Sequence, residues 1–364
     1  MRHPLHSICP YFAMFPEDFV AKQLFAYTRR GDVVFDPFCG RGTTLFESLL
    51  NGRRAAGIDI NPVAACISGA KADPPTLPHV LRRLTQLEED SASSGQTPPT
   101  LGDFFRMCFH ERTLGEILFL RRSLNWRGSK VDRFIAAIAL ACLHGESHKS
   151  QNCLSNRMPR TISTKPAYSV RWWEQRSLLP PERKTFDILR TVARFRLSEP
   201  LPTLRGSARL GDARRAGSLL PSMKETVHLI VTSPPYLDTT DYQEDQWLRL
   251  WFLGGPDYPT SSGSGDNRHT NRDFYWEFLA EAWAGCNDLV RRRSVVVIRA
   301  GGARIEREEL AEGLQRTLEK GFAGRRVREI TPVNTSEIKN RQTNVFRPGT
   351  SPRRYEHDFT YQLG

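Results

Sequence analysis

No stretch of this chain approaches the roughly 18 consecutive apolar residues of a membrane-spanning helix. The first residues lack the apolar core of a secretory signal, so a cytoplasmic, non-membrane protein is expected. Cysteine is sparse. The 7 thiols are odd in number and include no Cys-x-x-Cys pair, which argues against a disulfide framework and suits a reducing compartment. Cys142, His144, His148 and Cys153 fall close together, but their spacing fits no standard zinc pattern and Cys142 continues an apolar helix face, so no metal is expected. Internal repeats are also missing. Acidic residues fall short of basic ones, 40 against 52, for a net charge of +12 and a pI near 9.6. That balance favours a polyanionic partner. Lysine is scarce beside arginine; arginine suits phosphate and guanine contacts, although a G+C-rich genome produces the same bias. With 364 residues the chain can bury a large core in one or two domains.

The most informative segment is the apolar run Val227-His228-Leu229-Ile230-Val231 followed by Thr232-Ser233-Pro234-Pro235-Tyr236. It reads as a buried strand ending in a rigid loop. Two prolines fix φ and remove two N–H donors, which leaves their carbonyls available to a ligand. Such a loop can accept hydrogen bonds from an exocyclic amino group while Tyr236 stacks on the base that carries it. A loop that merely ends a strand is the plain alternative.

A second segment, Asp32-Val33-Val34-Phe35-Asp36-Pro37-Phe38-Cys39-Gly40-Arg41-Gly42-Thr43-Thr44, reads as a strand, a turn with two glycines, and the start of a helix. Glycines there let the backbone approach a ligand, and the helix N-terminus adds a favourable field. The dinucleotide fingerprint needs a further glycine where Leu45 stands, which weakens a nicotinamide or flavin reading. Another strand, Arg54–Ile60, carries Asp59 near its end, where an acid suits ribose hydroxyls.

In order along the chain, Phe15-Pro16-Glu17, Asp36–Thr43, Gly57-Ile58-Asp59-Ile60-Asn61-Pro62, Gly211-Asp212-Ala213 and Ser233-Pro234-Pro235-Tyr236 resemble the motifs of the DNA amino-methyltransferases. The resemblance covers a little under half the chain. It implies a Rossmann-like α/β sheet and S-adenosyl-L-methionine as cofactor. It also implies methyl transfer to an exocyclic amino nitrogen of a base in duplex DNA, with that base flipped out. Carried over to this sequence, the cofactor residues are Phe15, Pro16, Glu17, Asp36, Pro37, Phe38, Gly40, Gly42, Thr43, Asp59, Ile60, Asp212 and Ala213. Ser233, Pro234, Pro235 and Tyr236 are the catalytic loop. A Ser at the head of that loop usually goes with cytosine N4 and an Asp with adenine N6, so a site-specific cytosine-N4 enzyme is expected. The alternatives are the same chemistry on adenine N6 or on RNA, and a nucleic-acid-binding protein without catalysis. The resemblance leaves room for a restriction endonuclease as partner.

The expected organisation is a cofactor half over residues 1–90, a mainly helical and basic insertion over 101–205, and a catalytic half over 206–364. Helical spacing marks 12–28 and 62–71, with Pro74, Pro75 and Pro78 ending the latter, and 91–100 reads as a linker. Residues 154–173 are basic, polar and aromatic without a clean period. They nominate Arg157, Arg160 and Arg171 for DNA contact, unless Trp172 and Trp173 merely anchor a surface loop. Strands are expected at 32–38, 54–60, 227–232, 294–299, 325–331 and 356–362, the last ones antiparallel. Residues 254–272 and 331–354 are the other candidates for reading the target.

Overall fold

The computed structural model describes residues 2–11, 16–94, 101–145, 151–158, 165–237, 242–259, 272–302, 305–337 and 355–364. The chain forms two compact units. One comprises Phe15–Asn61, Thr203–Thr240 and Gly265–Gly364; the other comprises Met1–Met14, Pro62–Pro202 and Asp241–Ser264. This grouping differs from the three ranges expected from sequence, because helices Pro62–Ala72, Leu77–Ser93 and Tyr242–Phe252 fall with the insertion.

The first unit holds an α/β sheet. Its strands are β1 (Val33–Asp36), β2 (Arg54–Asp59), β3 (Ser207–Leu210), β4 (Val227–Thr232), β5 (Val290–Gly302), β6 (Val327–Glu329), β7 (Asn334–Glu337) and β8 (Tyr355–Leu363). Among the described residues the order is β3-β2-β1-β4-β5-β8-β6, with β7 also paired to β8. The first five strands in that order are parallel, whereas β8 runs antiparallel to β5, β6 and β7. β3 and β7 were not expected. Each is short and largely exposed, so it shows neither an apolar run nor a clean alternation.

Every residue of β1 is buried, as expected for a parallel strand covered on both faces. Val34 joins Leu229, Val231, Val295 and Val297 on one face, where Phe19, Val20 and Leu24 of helix Glu17–Tyr27 cover them. Phe35, Ile58, Ile230, Ile298 and Phe359 line the other face against Trp283, Leu314 and Leu318. Those three come from helices Arg272–Cys286 and Arg307–Gly321. The strand order turns at β1 and β4, so the carboxyl ends of these two strands lie side by side. In open parallel sheets this switch point is where ligands bind.

Among the described residues the second unit's regular structure is helical. Phe104, Phe105, Trp173, Trp247 and Trp251 form an aromatic core there, with ring centroids 4.7–5.7 Å apart in the closer pairs. Three local readings change. Pro78 sits in the first turn of helix Leu77–Ser93, where its missing N–H costs nothing, and that helix extends into the expected linker. The rest of the linker, 95–100, lies outside the described residues. Part of the aperiodic run is helix Pro166–Glu174.

Candidate active site

β1 ends at Asp36, and the chain then turns through Gly40 and Gly42 at φ values of 47° and 74° before helix Thr43–Leu50 begins. Only glycine adopts this left-handed backbone without strain. The turn packs hard on β2: a Cβ at Gly57 would lie 2.7 Å from Cys39 Cβ and 2.8 Å from Leu45 Cδ1. Asp59 fastens the turn from the neighbouring strand. Its Oδ2 accepts from Gly40 N at 2.8 Å, and its Oδ1 accepts from Asn61 N at 2.9 Å. Glu17 reaches the same turn, within 3.4 Å of the buried Arg41 guanidinium.

Asp36 is buried between the two central strands. Its Oδ1 accepts from Thr232 Oγ1 at 2.6 Å and from Phe38 N at 3.1 Å. Burial pushes the Asp36 carboxyl up to about 7, against the pull of these hydrogen bonds. Burial likewise pushes Asp59 up to about 6. Asp59 is half-buried by side-chain exposure, and its carboxylate faces the turn. Among the described residues both acids take their hydrogen bonds from backbone N–H groups and hydroxyls, with no basic side chain in ion-pair range.

This arrangement fits S-adenosylmethionine. A buried Asp36 and a half-buried Asp59, neither with a basic partner among the described residues, suit a cationic ligand, because an added positive charge relieves the cost of ionising them. Ile60, next to Asp59, leaves 62% of its surface exposed, an apolar platform beside an acid. The left-handed glycines bare the backbone between them. Asp59 would serve the ribose only through the lone pairs left after its two backbone bonds. Asp212 is more committed. It caps the turn Ala213–Arg215 through Arg214 N at 2.9 Å, and it pairs with the Arg214 guanidinium. Ala213 is buried beside it. Pro16 is exposed and Pro37 is buried, while Phe38 packs on Phe278 and Trp283. Thr43 opens the helix after the turn and is buried. Phe15 lies outside the described residues.

The loop after β4 brings Ser233 and Tyr236 together. Ser233 Oγ donates to Tyr236 Oη at 3.3 Å, and Tyr236 Oη donates to Glu356 Oε1 at 2.9 Å. Pro234 is buried and Pro235 half-buried. Burial, and then the nearby Glu356 carboxylate, hold the Tyr236 phenol well above its ordinary range. Burial raises Glu356 as well. Behind Glu356 stands Arg299, which binds Asp358 with two bonds of 2.6 and 2.9 Å and lies 3.7 Å from Glu356 Oε2. Its guanidinium also covers the Phe19 ring at 3.8 Å. Sequence reading missed Glu356, Arg299 and Asp358. A signal was present: Glu356 and Asp358 are the two acids of the polar phase of β8, alternating with Phe359, Tyr361 and Leu363 in the other phase, and β5 places Arg299 directly opposite Asp358.

Of the arginines nominated for DNA, Arg157 and Arg171 are exposed in the helical unit, and Arg160 lies outside the described residues. Trp173 is fully buried and donates to Arg157 O at 2.7 Å, so it anchors the segment, while Trp172 is half-buried. Cys142, His144 and Cys153 are buried, and His148 lies outside the described residues.

Residues 3–68 match the family described as DNA methylase. The type II methyltransferase M.MjaII of Methanocaldococcus jannaschii is 37% identical over 67 residues, which is 18% of this chain and 13% of that protein. The orphan methyltransferase M.BamHII of Bacillus amyloliquefaciens is 41% identical over 49 residues, 14% of this chain and 18% of that one. The matched segment spans less than a fifth of either relative. An rRNA methyltransferase, aviRa from Streptomyces viridochromogenes, aligns over 99% of this chain and 90% of its own at 12% identity and a TM-score of 0.36, too slight a likeness to add to the fold described above.

Proposed function

We propose that this chain, whose residues 3–68 match the DNA methylase family, is an S-adenosylmethionine-dependent DNA amino-methyltransferase that methylates the exocyclic N4 of cytosine at a specific site in DNA. The observation that carries the choice of cytosine is Ser233 at the head of the loop, with its hydroxyl held beside Tyr236.

The cofactor, when bound, supplies an activated methyl group, so the protein's work is chiefly alignment and charge stabilisation. Asp36, Asp59, Glu17 and the Gly40–Gly42 turn would hold the cofactor. Cytosine N4 is a poor nucleophile because its lone pair is delocalised into the ring. Acceptors off the ring plane favour a more tetrahedral nitrogen and the charge that develops on it. Ser233 Oγ and the Pro234 carbonyl are the proposed acceptors for that role, and Tyr236 is the proposed stacking surface for a flipped base. Arg157, Arg160 and Arg171 are proposed to contact DNA phosphates. A restriction endonuclease as partner remains part of the proposal, as does a cytoplasmic location.

The test is mass spectrometry of nucleosides from DNA treated with the protein and S-adenosylmethionine. N4-methylcytosine supports the proposal. N6-methyladenine alone would overturn the choice of base, and methylated RNA with unmethylated DNA would overturn the substrate.

A further inference from the structure

Transfer of a methyl group to an amino nitrogen leaves that nitrogen with one proton too many, which an acceptor must take. The structure contains a directed chain of hydrogen bonds that starts at the proposed amine-binding atom. Ser233 Oγ–H points to Tyr236 Oη, and Tyr236 Oη–H points to Glu356 Oε1, at 3.3 and 2.9 Å. Both bonds run the same way, from the loop toward the carboxylate. From this we infer that Glu356 is the terminal acceptor of the proton released from the methylated amine, reached through Ser233 and Tyr236.

The inference rests on the amino-methyltransferase reading above. The nitrogen lone pair forms the N–C bond while the S–C bond of the sulfonium donor breaks, its electron pair staying on sulfur. The surplus proton on nitrogen passes to Ser233 Oγ as the Ser233 proton passes to Tyr236 and the Tyr236 proton passes to Glu356. Both hydroxyls end as they began, and the carboxyl ends neutral until it loses the proton to water.

The surroundings suit a carboxylate that gains and loses a proton. Among the described residues, the charged and titratable groups set against Glu356 are Tyr236 from the loop after β4, Arg299 from β5 and Asp358 from its own strand. Glu337 on β7 stands opposite Tyr355, one register position away, and Glu356 pairs with Ser336. Arg299 gives both of its short bonds to Asp358 and stands 3.7 Å from Glu356, where its charge favours the ionised carboxylate but less than burial opposes it. Burial raises the Glu356 carboxyl, which brings its proton affinity closer to neutrality.

The experiment compares wild type, Glu356→Gln and Tyr236→Phe by single-turnover methyl transfer across pH, with S-adenosylmethionine affinity by calorimetry and melting temperature alongside. Glutamine still offers an oxygen to Tyr236 but cannot take a proton. Expected for Glu356→Gln is a loss of about 100-fold in rate, together with loss of the acid limb of the pH profile and little change in cofactor affinity or melting temperature. Tyr236→Phe should lose the same limb. In cofactor-free protein carrying carboxyl-labelled glutamate, the resonance missing from Glu356→Gln should titrate above the ordinary glutamate range. Wild-type rate with the acid limb intact in Glu356→Gln would overturn the relay and leave the proposed function standing. A uniform slowing with the limb retained would reduce Glu356 to a structural support and also overturn it. A wild type that methylates no base would overturn both.

Discussion

Replacing Asp36 with Asn should stabilise the cofactor-free protein at alkaline pH while weakening its hold on S-adenosylmethionine. The folded carboxyl sits at about 7, against 3.8 for the free group, and burial is the chief cause. At low pH the acid is neutral in both the folded and unfolded chain and contributes nothing. As pH rises from about 4 to about 7, the unfolded chain ionises while the folded one keeps its proton, so stability falls through that window and the loss is complete above it. The full gap corresponds to roughly 4 kcal/mol. Asparagine keeps an oxygen for Thr232 Oγ1 and Phe38 N but introduces an amide N–H pair, so a net gain of about 2–3 kcal/mol is expected well above neutrality. The assay is urea unfolding of both proteins near pH 5 and near pH 8 without cofactor, then with saturating S-adenosylmethionine. The Asp36→Asn advantage should grow with pH and shrink when the cationic cofactor is present. A difference between the two proteins that does not change with pH would refute the reasoning, because the buried charge would then cost nothing.

Three further outcomes are expected. Asp59→Ala removes the acceptor of Gly40 N and Asn61 N as well as the proposed ribose contact, so cofactor affinity measured by calorimetry should drop by on the order of 1.5–3 kcal/mol per lost charge-assisted bond; unchanged affinity would remove Asp59 from the site. Replacing Arg157, Arg160 and Arg171 with Ala should weaken DNA binding and flatten its salt dependence while cofactor affinity holds, and an unchanged salt slope in a binding titration would move the DNA surface elsewhere. Tyr236→Ala should lose about 1–3 kcal/mol of base stacking and be partly rescued by a mispaired target cytosine; a variant that melts early with no rescue would mean that the ring serves only to fill space.

The sequence alone determined much of the sheet and the turn at its centre. Apolar runs such as Val33–Phe35 and Leu229–Val231 are buried on both faces, so composition marks them as strands without any partner being known. Gly40, Gly42 and Gly57 are legible because a backbone with positive φ, or one pressed against a neighbouring strand, admits no side chain, and that demand is local. Asp59 and the Ser233–Tyr236 loop are legible for the same reason: each stands at the end of its own strand. Only the tertiary structure decided what lies behind that loop. Glu356 reaches Tyr236 across 120 positions of sequence, and Arg299 meets Asp358 across 59. These partners are set by the antiparallel register of β8 on β5, which no local pattern encodes. The helical run around Trp173 was obscured for a related reason. Its short helix draws stability from the aromatic core it enters rather than from its own periodicity, and that core is assembled from segments far apart in the chain.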